Sequence, residues 1–265
     1  MLKDPLARIV GKKSWGDYFL LTLESSRISA QAQPGQFIMV RVNAHLSPLL
    51  RRPLSIHSKN ERIIEIFFQI TGLGTELLSQ HNPGDTLDIL GPLGRGFEAG
   101  ERLKDKNVAV VGGGRGIAPL YFLSKELDSL RASVRVFYGG KSQADLPLKE
   151  KFDEMNIDMT CSTDDGSFGF KGFVSDLFKA ELEKFTPLHI FACGPEAMMK
   201  KISGIAQEKN IPAEFSLESI MGCGFGACWG CVRRIKRGDK EKWVKICEDG
   251  PVFSGDDIIW EEEDA

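Results

Sequence analysis

The sequence predicts a chain in three parts: an antiparallel β barrel over residues 1–100, a doubly wound α/β domain with a parallel sheet over 101–220, and a small cysteine-rich lobe over 221–265. Three observations predict it. Short apolar or alternating runs separated by turn residues fill the first hundred positions. A continuous apolar run, Asn107 to Val111, then stops at Gly112-Gly113-Gly114 and opens into helical spacing. Finally, four of the six cysteines crowd near the end.

In the first part, strands are expected over Trp15 to Leu23, Gln36 to Val42, Arg62 to Ile70 and Thr86 to Leu90. Between them lie Gln33-Pro34-Gly35, Asn43 to Pro48, Lys59-Asn60-Glu61 and Asn82-Pro83-Gly84-Asp85, which are built from residues that favour turn geometry. One helical piece, Gly74 to Gln80, interrupts the series and carries Thr75 as a potential cap. In the second part, strand 107–111, helix Pro119 to Leu130 and strand Ser133 to Tyr138 make a βαβ unit. Further strands are expected at Ile157 to Cys161 and Leu188 to Cys193, with helices at Lys149 to Met155, Val174 to Phe185 and Glu196 to Lys209. Beyond Glu218 neither period is legible, and Glu261-Glu262-Glu263-Asp264 reads as a solvated acidic tail.

With 42% hydrophobic and 27% charged residues and a formal net charge of −3, the composition argues against disorder and against a polyanion-binding surface. Nucleic acid is therefore not an expected partner. No apolar run approaches the roughly 18 to 20 residues of a membrane span, and Met1-Leu2-Lys3-Asp4-Pro5 lacks the apolar stretch of a signal peptide. A cytoplasmic protein without membrane contact is expected.

Cys223, Cys228, Cys231 and Cys247 follow the spacing C-x4-C-x2-C-x15-C, the three-plus-one pattern of plant-type 2Fe-2S ligation. Gly222, Gly224, Gly226 and Gly230 let the backbone curl so that amides point inward. A structural zinc site is the alternative, although such modules usually present two short knuckles; in a reducing cytoplasm disulfides are a third. Cys161 and Cys193 end apolar strands and read as buried thiols, and Cys193 also stands where a nicotinamide could lie.

The turn Gly112 to Pro119 follows a buried strand and opens a helix, so its amides suit a pyrophosphate. Such turns also serve packing alone. Cys193-Gly194-Pro195 closes a later strand at the same sheet edge, where open α/β sheets bind ligands. In the barrel, Arg52-Pro53-Leu54-Ser55 offers a guanidinium and a hydroxyl to a phosphate, and Gly72-Leu73-Gly74-Thr75 offers amides. An ordinary strand edge with a chance charge is the bland alternative. His45, His57, His81 and His189 show no ligand spacing, and Asp164-Asp165-Gly166 is first of all a turn.

Taken in order, Pro34-Gly35-Gln36-Phe37, Arg52 to Ser55, Gly72 to Thr75, Gly91-Pro92-Leu93-Gly94, Gly112 to Pro119, Cys193-Gly194-Pro195 and the cysteine cluster resemble the ferredoxin-reductase-like flavoproteins over nearly the whole chain. More narrowly, Thr163 to Ser167, Ser216-Leu217-Glu218, the cysteine loop and Cys247 to Phe253 resemble the electron-transfer subunits of two-subunit, NAD-linked dihydroorotate dehydrogenases.

The resemblance implies FAD in the barrel, NAD in the α/β domain and a 2Fe-2S cluster in the lobe. It places Arg52, Pro53, Leu54, Ser55, Phe67, Phe68 and Gln69 along the flavin, and Gly74 with Thr75 at its pyrophosphate. Gly112, Gly113, Gly114, Gly194 and Pro195 fall at the nicotinamide nucleotide, and the four late cysteines at iron. It also implies an FMN-containing dihydroorotate dehydrogenase catalytic subunit as partner, in a heterotetramer of two copies each. Electrons would then pass to NAD in pyrimidine biosynthesis. Phe225 and Trp229 beside the cysteine loop are candidates for an exposed docking face, with packing inside the lobe as the alternative. An NAD(P)H-ferredoxin oxidoreductase subunit of a bifurcating or hydrogenase-type complex is the alternative enzyme, and a zinc-stabilised nucleotide-binding regulator the non-enzyme one. Two positions depart from the family pattern: Gln69 where relatives often carry a basic residue, and Arg115 within the glycine turn. With Lys141, and with no acid ending Val134 to Tyr138, the latter leaves NADP open.

Overall fold

The computed structural model describes residues 2–260, and the acidic run from Glu261 lies outside them. Six strands, β1 (Leu2–Trp15), β2 (Tyr18–Glu24), β3 (Phe37–Arg41), β4 (Arg52–Lys59), β5 (Ile63–Gln69) and β6 (Thr86–Leu93), close into a barrel in the order β1-β2-β5-β4-β3-β6. Closure uses β1 twice: Leu2 to Arg8 pair antiparallel with β6, and Arg8 to Trp15 with β2. Register shifts at Asp4/Ala7 and Ile9/Gly11 bend the strand between its two partners. No barrel edge is left unpaired, and Ile9, Leu21, Leu23, Ile38, Val40, Ile64 and Ile66 fill the interior. Two helices decorate the barrel, α1 (Ser26–Gln31) and α2 (Leu73–Gln80).

Here the structure departs from the sequence expectation. The run from Trp15 to Leu23 is two strands, divided at Gly16, whose φ of +56° is left-handed. Most of β1 was illegible because its side chains are largely exposed, with only Ala7 and Ile9 buried. A second helical piece, α1, joins the one expected.

The rest comprises β7 (Asn107–Gly113), α3 (Ile117–Ser129), β8 (Ser133–Gly140), α4 (Lys149–Asp153), β9 (Asp158–Thr163), β10 (Phe170–Lys171), α5 (Val174–Glu181), β11 (His189–Cys193), α6 (Glu196–Lys209), β12 (Ala213–Ser216), β13 (Val232–Arg237), β14 (Lys240–Lys245), α7 (Ile246–Asp249) and β15 (Val252–Ser254). The sheet order is β10-β9-β8-β7-β11-β12-β15, parallel except for β15 against β12. Strand order reverses between β7 and β11, so their carboxyl ends flank the switch point where such sheets bind ligands. The cysteine-rich segment, where no element was legible, contains the β13–β14 hairpin, and its final strand is stitched into the parallel sheet.

Helix α3 is buried on nearly every side, as a helix enclosed in protein must be. Its Ile117, Leu120, Leu123 and Leu127 pack with Val108, Val110, Val134 and Val136 of the sheet, whereas Phe122 joins the barrel interior. From the barrel side, His57 sets Nδ1 2.9 Å from the Ala118 carbonyl and stacks its ring 4.5 Å from that of Tyr121.

Burial first, and then nearby Lys151, pushes the His57 pKa from 6.5 down to about 3. The folded chain holds this ring neutral, whereas the unfolded chain protonates it below 6.5. Its contribution is therefore complete above that pH and is lost as pH falls toward 3. Urea unfolding of the wild type should lose free energy between about pH 7 and about pH 4.5 more steeply than that of His57→Leu, by up to about 1.4 kcal/mol per pH unit. Parallel slopes would mean that His57 carries a proton in the folded state.

Candidate functional site

The carboxyl ends of β7 and β11 are in register, with Cys193 opposite Gly112. Two turns leave this edge, and they touch backbone to backbone: a Cβ on Gly116 would stand 2.6 Å from Gly194 Cα, and one on Gly194 3.0 Å from Gly113 N. Only glycine permits that approach. Gly113, Gly114, Gly194 and Pro195 line a cleft of about 680 Å3 at this edge, together with Gly139, Gly140 and Lys141 at the end of β8. Gly112 does not reach the cleft. It seats α3 instead, since a Cβ there would meet Ile117 Cδ1 at 2.6 Å.

A second cavity, about 250 Å3, lies between barrel and sheet. The structure gathers Arg52, Pro53, Leu54 and Ser55 of β4, Phe67, Phe68 and Gln69 of β5, and Thr75 of α2 around it. The Thr75 hydroxyl accepts from the Thr71 amide at 2.9 Å and donates to the Gly72 carbonyl, which fixes the turn before α2. Gly74 is not in the wall. It makes room for Arg52, whose guanidinium carbon would be 2.7 Å from a Cβ there. Arg52 in turn donates to the Leu50 carbonyl at 2.6 Å.

Gln69, Arg115, Gly116, Leu217 and Glu218 line both cavities, so the two are neighbours across one thin wall. Arg115 and Glu218 pair at 3.3 Å on that wall. Beside it, Tyr18 stacks on Phe67 with centroids 5.6 Å apart and planes 7° from parallel, and its hydroxyl donates to Asp145 at 2.9 Å. Burial first, and then that carboxylate, raises the Tyr18 pKa above its ordinary value. Cys193 also lines the smaller cavity; burial, reinforced by Glu218, pushes its thiol up, so it stays protonated. Sequence reasoning missed Tyr18, which follows a turn with no motif around it. Leu217 and Glu218 had a signal only in the Ser216-Leu217-Glu218 triplet.

Met221 is also in the wall of the smaller cavity, and Cys223 follows two residues later. The four thiols stand as two pairs, Cys223 with Cys228 and Cys231 with Cys247, each pair within hydrogen-bond reach. Two pairs match the ligand count of two irons.

The loop amides point at cysteine sulfur: Gly226 donates to Cys247 Sγ at 3.1 Å, Cys228 to Cys223 Sγ at 3.4 Å and Gly230 to Cys228 Sγ at 3.4 Å. Burial opposes ionisation of Cys223, but amide donation from Phe225 and Cys228 outweighs it and lowers that thiol to about 7. Burial, with the neighbouring Cys231, pushes Cys247 up to about 12. The Lys245 ammonium braces the loop, donating to the Gly226 carbonyl at 3.1 Å and lying 4.9 Å from the centroid of the Trp229 ring. Phe225 and Trp229 are themselves exposed, at 43% and 58%. The donor set and the glycine cradle therefore fit a 2Fe-2S cluster.

A family model described as the iron-sulfur cluster binding domain of dihydroorotate dehydrogenase B matches residues 218–259, and one for the oxidoreductase NAD-binding domain matches residues 110–204. The dihydroorotate dehydrogenase B (NAD(+)) electron transfer subunit of Desulforamulus reducens is 40% identical over 92% of this chain and 93% of its own length. That of Geobacillus kaustophilus is 39% identical over 90% and 91%. Among solved structures, an NADH-dependent reduced ferredoxin-NADP oxidoreductase, described in connection with flavin-based electron bifurcation, superposes with a TM-score of 0.83. It is 31% identical over 97% of this chain and 91% of that one.

The cysteine loop is seated on the barrel through Gly224, whose φ is +82° and where a Cβ would lie 2.6 Å from Met39 Sδ of β3. Gly224→Ala should therefore lift the loop and destabilise the protein by about 1–3 kcal/mol, with a fall in iron bound per chain. Denaturant unfolding alongside iron analysis checks this; unchanged stability with full iron would mean that the loop does not depend on this seat.

Proposed function

The chain belongs to the family of electron transfer subunits of dihydroorotate dehydrogenase B, and from that premise we propose that it carries electrons between a partner subunit, which oxidises dihydroorotate at FMN, and NAD. It would do so by way of a 2Fe-2S cluster and FAD, in pyrimidine biosynthesis. One observation carries the reading: the cysteine loop follows directly on Met221 in the wall of the barrel-side cavity, which shares another part of its wall with the cleft at the sheet edge. When bound, nicotinamide supplies hydride exchange, the cluster single-electron exchange, and flavin both.

The chain's own residues hold these groups in line. Arg52 and Ser55 offer a guanidinium and a hydroxyl to flavin and phosphate, Pro53 and Leu54 continue the same wall, and Phe67, Phe68 and Gln69 run along it. Thr75 fixes the α2 turn at the flavin pyrophosphate, and Gly74 admits Arg52 to it. Gly113, Gly114, Gly194 and Pro195 present backbone to the dinucleotide, with Gly112 behind them. Cys223, Cys228, Cys231 and Cys247 would hold the irons. Tyr18 lines the cleft and Phe67 the barrel-side cavity, and their rings stack between the two.

The partner is the FMN-containing catalytic subunit, and the assembly is a heterotetramer of two copies each. Phe225 and Trp229, with exposed Val232 and Trp243 of the adjoining hairpin, are the docking face. The cytoplasm is the proposed compartment. The functional division is 1–100, 101–220 and 221–265, with β15 lent back to the sheet. NAD is favoured over NADP by the relatives' names. A second reading, a ferredoxin-linked bifurcating subunit, is favoured by the superposition at a TM-score of 0.83.

Anaerobic visible titration tests this. NADH should bleach flavin and iron-sulfur bands together, whereas preference for NADPH would move the assignment to the ferredoxin-linked reading. One zinc per chain and no flavin, after attempted reconstitution, would sink the redox account. Cys228→Ser should abolish turnover coupled to the catalytic subunit while sparing direct reduction of FAD by NADH; coupling at the normal rate would argue against the cluster relay.

A further inference from the structure

We propose that Arg115 is the side chain that grips the pyrophosphate of the dinucleotide, and that Glu218 is an internal competitor which must release it first. The proposal rests on the NAD reading of the cleft. Of the five residues shared by the two cavities only these two are charged. Arg115 is also the only side chain on the turn from Gly112 to Gly116, the segment that opens α3 at the switch point. A dinucleotide laid along that turn meets backbone amides and one guanidinium.

Several other charges of the cleft are committed elsewhere, though Lys141 and Asp164 also line it. Arg233 is held by both Glu196 carboxylate oxygens and by the Ile259 carbonyl, with its side chain only 11% exposed. Lys201 lies over the Phe173 ring. Lys141 stands across the cleft at the end of β8. Asp145 spends its two oxygens on Tyr18 and on Ser142. The Arg115–Glu218 pair is different: a single 3.3 Å contact between side chains 51% and 56% exposed. Such pairs contribute little to stability. A guanidinium can exchange one carboxylate oxygen for two phosphate oxygens in fork geometry, which is the stronger bond. Arg115 is thus poised to change partners, and Glu218 sets how readily it does so.

The test measures binding of ADP-ribose, which carries the pyrophosphate without nicotinamide, to the flavin-loaded protein by titration calorimetry. Arg115→Met should weaken binding by about tenfold, and Arg115→Lys, which keeps the charge but not the fork, by less. Glu218→Gln should tighten it by about two- to fivefold. The double variant decides. If Glu218 acts through Arg115, Glu218→Gln has no effect in the Arg115→Met background; if its gain persists there, the carboxylate merely repels the ligand and the proposal is overturned. Unaltered affinity in Arg115→Met also overturns it. Retained flavin and cluster absorption in each variant reports intact folding. Failure of the wild type to bind either ADP-ribose or NADH would instead remove the NAD reading itself.

Discussion

Everything about the site depends on how closely two turns approach at the carboxyl edge of the sheet. Gly116 lies against the backbone of Cys193 and Gly194 with no space for a Cβ, and Gly194 lies close to Gly113, where a Cβ would stand 3.0 Å from the amide nitrogen. The cleft and the barrel-side cavity meet beside this contact, and Gly116 joins a leucine, a glutamine and an ion pair in their common wall. The glycines are therefore a distance device.

Helix α3 converts that local contact into a relation between domains. Its amino end is the turn itself, one side packs on β7 and β8, and Phe122 enters the barrel. Because close-packed interiors transmit displacement with little give, the barrel cannot shift on the sheet without disturbing the turn. His57 adds a constraint at the same place: a neutral buried ring whose Nδ1 is taken by Ala118. The lobe is tied in independently. Val252 to Ser254 pair with β12, and the Leu217 amide donates to the Pro251 carbonyl at 2.9 Å. The segment carrying Leu217 and Glu218 is thus fixed where it leaves β12.

How much of this was legible follows from how local each signal is. Three of the four cysteines, with the glycines between them, lie within nine positions, from Cys223 to Cys231, so their spacing encodes a loop directly. The Gly112 turn and Cys193-Gly194-Pro195 each follow a buried strand, and parallel pairing brings them together by rule. What stayed hidden was produced by long-range packing or by exposure. β1 is mostly solvated, and the β13–β14 hairpin buries Ile235 alone among its residues. Tyr18 becomes part of the site only because β2 lies beside β5 and Asp145 approaches from the other domain. Gly74 and Gly112 also do something their motifs do not show: each makes room for a neighbouring side chain, Arg52 and Ile117 respectively.

The orientation of the cysteine loop then makes sense as a one-way fitting. Its inner side is apolar and seated, with Met221 in the cavity wall and Gly224 on Met39, and Cys231 and Cys247 are buried. Its outer side carries exposed Cys228, Phe225 and Trp229. Buried sulfurs need donors because an unpaired polar group in the interior is expensive, and the Gly226 amide supplies Cys247 with one. Lys245 holds the same residue through its carbonyl while its ammonium lies over the Trp229 ring. A single lysine thereby couples the inner ligand pair to the exposed aromatic face, so the loop presents its outer surface and its buried sulfurs as one rigid piece.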